Sequence, residues 1–170
     1  MQLTVESGAM PVRRISPRPV GPLPSVIAGW PSDKPASLPP RPRILFVDDN
    51  SDARALYAVC LEYAGFACTT AQDGREAIER IRERRPALIL MDVSMPVMDG
   101  WEATRRIKAN PQTRDIPLYM LTAHVFAEHR QLAVEVGADG FLTKPMSPDA
   151  LVAEIRRALG MPEVPGGALY

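Results

Sequence analysis

The chain carries no excess of either charge. Of its 170 residues, 20 are Lys or Arg and 20 are Asp or Glu, so the formal net charge is zero. That balance gives no support to a global basic field of the kind that gathers nucleic acid, and no direct nucleic-acid partner is expected. Long apolar runs are also missing. The longest uninterrupted aliphatic stretch runs from Ala87 to Met91, closed by Pro86 and Asp92, far short of the ~20 residues that span a bilayer. The N-terminus, MQLTVESGAM, has no basic segment followed by an apolar one, so no secretory signal is visible. Two cysteines, Cys60 and Cys68, build neither a disulfide framework nor a thiolate metal site. His124 and His129 are five apart and do not share a helix face as a zinc pair would. The expectation is a soluble, cytoplasmic protein with no membrane partner.

What the chain has in excess is proline, and unevenly. Ten of its 18 prolines fall within residues 1–42. That stretch shows neither helical nor alternating periodicity, and proline favours extended polyproline II backbone. It reads as a disordered, semi-stiff tail. Five basic residues against two acidic give the tail +3, which leaves −3 on the remainder. Pro19–Pro22 fits the P-x-x-P pattern of polyproline ligands, a match that arises easily by chance in such a segment. Trp30 is a candidate anchor, and a later start at Met10 is an alternative reading of the N-terminus.

From Arg43 the pattern changes. Short apolar runs at 43–48, 67–71, 87–92, 118–122 and 140–143 read as strands. Helical spacing over 51–65 aligns Ala53, Leu56, Cys60 and Tyr63. Asp73 with Glu76, and Asp99 with Glu102, are capping pairs that open helices 74–84 and 100–109. A fourth helix covers roughly 125–136 and ends at Gly137. Ser147 and Pro148 open the last, with Leu151, Ile155 and Leu159 as its stripe. Five strands alternating with five helices give an α/β domain, a doubly wound, five-stranded parallel sheet; the order expected of it is the flavodoxin-like 2-1-3-4-5, which would make strands 1 and 3 neighbours. It spans 43–159, and 160–170 form a short C-terminal tail.

In open parallel sheets the site lies beyond the carboxyl ends of the strands. Strand 1 ends in Asp48-Asp49, strand 3 in Asp92 and strand 4 in Thr122, and strand 5 is followed by Lys144-Pro145. Three carboxylates, a hydroxyl and an ammonium thus gather at one edge. Three clustered anions require a cation, and oxygen-only ligands suit a hard ion, most simply Mg²⁺. Bound metal offsets charge on a transferring phosphoryl group. Lys144 and Thr122 can hold other phosphoryl oxygens. Asp92, at the end of the central strand, is the best placed carboxylate for a nucleophile forming an aspartyl phosphate. The turn after strand 1, DDNSDAR, is acidic and lacks the glycines of a P-loop, Rossmann or flavin site. No Ser-His-Asp set on a nucleophile elbow is present.

These residues resemble a known family. Asp48-Asp49, MDVSMPVMDG around Asp92, Thr122-Ala123 and Lys144-Pro145 look like the receiver domain of two-component response regulators, of the single-domain, CheY-like type. The resemblance covers Arg43 to Leu159, 117 of 170 residues. It implies that Asp92 accepts a phosphoryl group from a phosphohistidine on a sensor histidine kinase or histidine phosphotransfer protein. It implies Mg²⁺ held by Asp49, Asp92 and the Ser94 backbone carbonyl, with Asp48 acting through water. Thr122 would move toward the phosphoryl group and Phe141 turn inward as its partner switch. The Lys144-Pro145 bond is expected to be cis. Ser94 and His124 occupy positions that tune dephosphorylation. The signalling face would be helix 4, strand 5 and helix 5, and phosphorylation-dependent dimerisation stays open. No output domain is expected after Leu159, so output would be protein contact or phosphorelay, with no enzymatic activity beyond self-phosphorylation and autodephosphorylation.

Two alternatives stand beside this. One is a Mg²⁺-dependent phosphohydrolase working through an aspartyl phosphate, though that class resembles D-x-D after strand 1. The other is an unphosphorylated scaffold on the same fold. Individually the site residues also have plain readings. Asp48-Asp49 suit a helix N-terminus, Phe141 suits the core, and Lys144 suits the surface. Trp101, Met95 and Met98 fit local packing, and the charged run 75–85 fits a solvated helix face.

Overall fold

The computed structural model describes residues 40–123 and 127–162. The tail up to residue 39, with its P-x-x-P match and Trp30, lies outside the described residues, as do His124 and residues 163–170.

The elements alternate as β1 (Arg43–Val47), α1 (Ser51–Tyr63), β2 (Ala67–Ala71), α2 (Gly74–Glu83), β3 (Leu88–Asp92), α3 (Gly100–Ala109), β4 (Leu118–Thr122), α4 (Ala127–Glu135), β5 (Gly140–Thr143) and α5 (Pro148–Ala158). All four strand pairings are parallel and the order is β2-β1-β3-β4-β5. β3, at the centre, is buried at every position, as a strand covered on both faces must be. The two-residue side-chain period then splits the core in two. Ile44 and Phe46 of β1 and Leu88 and Leu90 of β3 face Leu61 of α1 and Leu151 and Ile155 of α5. Leu45, Val47, Ile89 and Met91 face Ala77 and Ile81 of α2, Ala103 and Ile107 of α3, and Ala133 of α4.

Caps set the helix starts. Asn50 accepts from the Asp52 and Ala53 amides at 2.9 and 3.0 Å and opens α1. Asp73 accepts from Arg75 and Glu76 at 2.8 and 2.9 Å. Glu76 reaches back one residue further than a capping box requires, to the Gln72 amide at 3.0 Å. Asp99 accepts from Glu102 N–H at 2.8 Å, while the Glu102 carboxylate is taken by Arg106 and Arg105. Ser147 caps α5 through the Ala150 amide, with Pro148 at the first helical position.

The expected α1 stripe is not the buried one. Leu56 is 55% and Tyr63 71% exposed, whereas Leu61 is buried and Tyr57 and Ala64 pack beside it. Nine of the 13 residues of α1 are apolar, so several rows at helical spacing look alike. The helix turns toward the sheet by the row that lets Tyr57 contact Phe46, ring centroids 5.0 Å apart, and donate to the Met146 carbonyl at 2.8 Å. Cys60 and Cys68 are half-buried free thiols. No described helix is long and apolar enough to cross a membrane.

Candidate functional site

A parallel sheet delivers the ends of β1, β3, β4 and β5 to one edge, and register makes the meeting close. Val47 pairs with Met91, Asp92 with Leu121, and Thr122 with Thr143. Asp48 therefore leaves β1 beside the last residue of β3. Asp48 and Asp92 are only 1% and 7% exposed, while Asp49 points to solvent. The three offer carboxylate oxygens that all lie within 4.8 Å of one another.

One ammonium joins two of them. Lys144 Nζ lies 2.6 Å from Asp48 Oδ2 and 3.0 Å from Asp92 Oδ2. Its own backbone N–H donates to the Thr122 carbonyl at 2.7 Å, which ties the residue after β5 to the last residue of β4. The Lys144-Pro145 peptide is cis. The second Asp48 oxygen accepts from the Asn50 amide at 2.9 Å. Asp92 Oδ1 has a long contact, 3.5 Å, from the Ser94 amide. Three carboxylates and one ammonium leave the cluster at −2, and its donors are all oxygens. That set fits Mg²⁺, which favours a few carboxylates and retained water.

Electrostatics follow from burial. Burial pushes the Asp92 carboxyl above its ordinary value; the Lys144 hydrogen bond and charge oppose this, and the Asp48 charge adds to it. For Lys144 burial acts downward, but hydrogen bonds and charges from Asp48 and Asp92 outweigh it, and its ammonium is held above the ordinary lysine value.

The other expected residues fall around this centre. Thr122 ends β4, 3% exposed. Phe141 pairs in register with Met120 and packs, half-buried, on the core beneath α2, α3 and α4. Ser94 is exposed at the rim. A shallow depression beside the carboxylates is lined by Asp49, Ser94, Pro96, Asp99 and Trp101. The Trp101 ring also lies 5.8 Å from that of His129 on α4.

Sequence reasoning passed over Arg54, whose Nη1 donates to the carbonyls of Asp48 and Asp49 at 2.7 and 2.9 Å and fixes the turn carrying both acids. It gave no role to Gly100 either. A β-carbon there would sit 2.0 Å from the Asp92 carbonyl oxygen. Only glycine lets α3 start against the strand that presents Asp92. Gly100 closes the motif around Asp92 and Arg54 follows the Asp48-Asp49 turn, but their roles depend on backbone approach that spacing does not reveal.

A family profile described as the response regulator receiver domain matches residues 44–156. The chain belongs to this family. Members work in two-component signalling, and a phosphorylated aspartate and Mg²⁺ are general features of them. Among curated relatives, the phosphate regulon transcriptional regulatory protein PhoB of Pseudomonas aeruginosa is 43% identical over 116 residues, 68% of this chain and 51% of PhoB. The transcriptional regulatory protein PrrA of Mycobacterium tuberculosis is 38% identical over 118 residues, 69% of this chain and 50% of PrrA. The chain thus spans about half the length of the curated relatives it matches. The chemotaxis protein CheY4 of Vibrio cholerae is similar in structure, with a TM-score of 0.68, 36% identity, and coverage of 70% of this chain and 99% of CheY4. A receiver domain of a histidine kinase from Syntrophus aciditrophicus has a TM-score of 0.66 at 33% identity, covering 75% of this chain and 98% of that one.

Proposed function

We propose that this receiver accepts a phosphoryl group on Asp92 and that Lys144 is its electrostatic partner. The observation that carries the reading is the Lys144 ammonium shared between two buried carboxylates, Asp48 and Asp92, with Asp49 alongside. In the reaction an Asp92 oxygen attacks the phosphorus of a phosphohistidine on a sensor histidine kinase or phosphotransfer protein. A P–O bond forms, the P–N bond breaks, and its electron pair stays on the imidazole nitrogen. Lys144 exchanges its contact with Asp92 for one with a phosphoryl oxygen and offsets the added charge. Asp49, Asp92 and the Ser94 carbonyl, with Asp48 through water, would hold Mg²⁺. Bound there, the metal would neutralise charge on the transferring oxygens.

Thr122 then closes on the phosphoryl group and Phe141 repacks toward the space it leaves. The readout is a changed face of α4, β5 and α5, met by a downstream protein or a second phosphotransfer protein. Transcriptional regulation by PhoB is not carried over, because the match covers the receiver portion alone.

The test is labelling of the full chain with acetyl phosphate, with and without Mg²⁺. Wild type is expected to gain one phosphoryl group only with Mg²⁺, detected by intact mass or Phos-tag mobility. Asp92→Asn is expected to gain none. Equal labelling of Asp92→Asn and wild type overturns the assignment.

A further inference from the structure

On the face of the sheet carrying α2 and α3, these helices meet closely. Gly74 N–H donates to the Met98 carbonyl at 3.0 Å, and a β-carbon at Gly74 would lie 2.6 Å from Ala103 Cβ. Alongside this contact lies a cleft of about 360 Å³, lined by residues of both helices and by Met98. None of the carboxylates of the phosphoryl site lines it. Its floor includes Ile78, Ile107 and Met98. Its rim is basic: Arg75 and Arg82 stand seven apart on one face of α2, Arg106 faces them from α3, and Glu79 is the acidic residue among the lining. The lining therefore carries +2, on residues 43–170 whose own balance is −3.

We propose that this cleft is a docking site for an acidic, amphipathic segment of a partner protein, one apolar side chain seated between α2 and α3. The volume is at the lower end of the about 300–1,000 Å³ typical of ligand clefts, room for one inserted aliphatic or aromatic side chain. The rim arginines are exposed, and an exposed ion pair alone is worth little, about 0–1 kcal/mol. Affinity must come from the apolar anchor, and the arginines then set the sign of the partner. Arg106 is already paired with Glu102 at 2.7 Å, so Arg75 and Arg82 carry most of the rim's charge toward a partner. The chain's own proline-rich segment carries +3, the wrong sign for this rim. The proposal does not rest on phosphorylation of Asp92.

The test titrates the ¹⁵N-labelled full chain with a synthetic amphipathic helical peptide of Glu and Leu, against a copy with Lys for Glu and a copy with Ser for Leu. The acidic Leu peptide is expected to shift the amides of Ile78, Met98 and Ile107, and its affinity to fall as salt is raised. Both altered copies, and the Arg75→Glu/Arg82→Gln variant of the chain, are expected to bind at least tenfold more weakly. The substituted arginines are exposed, and unchanged circular dichroism of the variant confirms its fold. Asp92→Asn is expected to bind like wild type. The proposal fails if the acidic peptide gives no shift at these amides, if the charge-reversed peptide binds as well, or if Asp92→Asn removes binding. It also fails if the same shifts arise from chain concentration alone, which would make the occupant a second copy.

Discussion

Replacing Lys144 by Met tests whether the ammonium, rather than the fold, holds the carboxylate cluster together. Met keeps the flexibility and nearly the length of the side chain and removes the charge together with its N–H donors. The side chains of Asp48 and Asp92 are 2% and 10% exposed, and that of Lys144 is 26% exposed. Removing one partner of a buried pair costs about 3–5 kcal/mol, because the remaining charge is left uncompensated. Water reaches the quarter-exposed ammonium and screens part of this, and Asp48 keeps its bond from the Asn50 amide. A loss of about 2–3 kcal/mol in metal-free buffer is therefore expected. With a urea slope of roughly 1.5 kcal/mol per molar, the unfolding midpoint falls by about 1.5 M.

Magnesium then discriminates. In the variant the cluster carries −3 instead of −2 and no ammonium competes for its oxygens. Mg²⁺ should bind the variant more tightly than wild type. Each tenfold gain in affinity recovers about 1.4 kcal/mol once metal exceeds the dissociation constant. The assay is urea unfolding of both proteins in EDTA and in millimolar MgCl₂, with NaCl at matched ionic strength as the control. The deficit is expected to be large in EDTA and to shrink by at least a third with MgCl₂ but not with NaCl. A variant as stable as wild type in EDTA would refute the role given to Lys144. A deficit that Mg²⁺ leaves unchanged would refute the cluster as a metal site.

Gly100→Ala is expected to lower stability by about 2–4 kcal/mol, because its β-carbon meets the Asp92 carbonyl, which belongs to backbone and cannot swing aside. Gly140→Ala meets the ring of Tyr119 instead, at 2.2 Å, and rotation of that side chain should keep its loss well below that of Gly100→Ala in the same thermal melts. Lys108 donates to the carbonyls of Arg114 and Ile116 and pairs with Asp139, while Asp139 also accepts from the Leu118 amide. Lys108→Met should therefore lower the urea midpoint by an amount equal to about 1–3 kcal/mol and speed hydrogen exchange at the start of β4; an unchanged midpoint would remove Lys108 from the fold's support. The Cys68 thiol is pushed up to about 12 by burial, from an ordinary 9.0. The folded chain thus keeps a proton that the unfolded chain sheds above pH 9, so this residue's contribution is intact below pH 9 and is lost as pH rises from 9 toward 12. Wild type should lose stability more steeply than Cys68→Ala between pH 9 and 10.5, and equal slopes would contradict the burial argument.

The strand ends were legible because the geometry of a parallel sheet does most of the work. Once five apolar runs alternate with helices, the residue after each run is placed at one edge, and Asp48, Asp49, Asp92, Thr122 and Lys144 follow without any knowledge of packing. Strand spans were also readable, since β-runs here are short and bounded by Pro, Gly or Asp. The α1 orientation was not legible, because Leu56, Val59 and Tyr63 look as buriable as Tyr57, Leu61 and Ala64 and only the partners across the sheet choose between the rows. Lys108 looks like one more surface lysine of α3, yet its side chain is 11% exposed. Its acceptors come from the loop after α3 and the turn before β5, a convergence that no spacing rule encodes. Arg54 and Gly100 act on backbone oxygens, which carry no sequence signature at all.

Charge shows the same division between what composition and what structure can say. Zero net charge hides +3 on the proline-rich segment and −3 on the remainder. Within that remainder, the cluster of Asp48, Asp49, Asp92 and Lys144 alone accounts for −2, concentrated where two of the acids are nearly sealed from water. Outside it the balance is close to neutral, so a cleft rimmed by three arginines is a local departure and not a share of a general field. Concentrated negative charge from oxygen donors, two of the acids buried, suits a hard cation. Dispersed positive charge around an open apolar cleft selects a protein partner by sign and contributes little affinity of its own. The two sites therefore differ in what removing a charge should do. At the buried cluster a lost charge changes stability and metal affinity together. At the α2–α3 rim it should change binding and its salt dependence while leaving the unfolding midpoint nearly where it was.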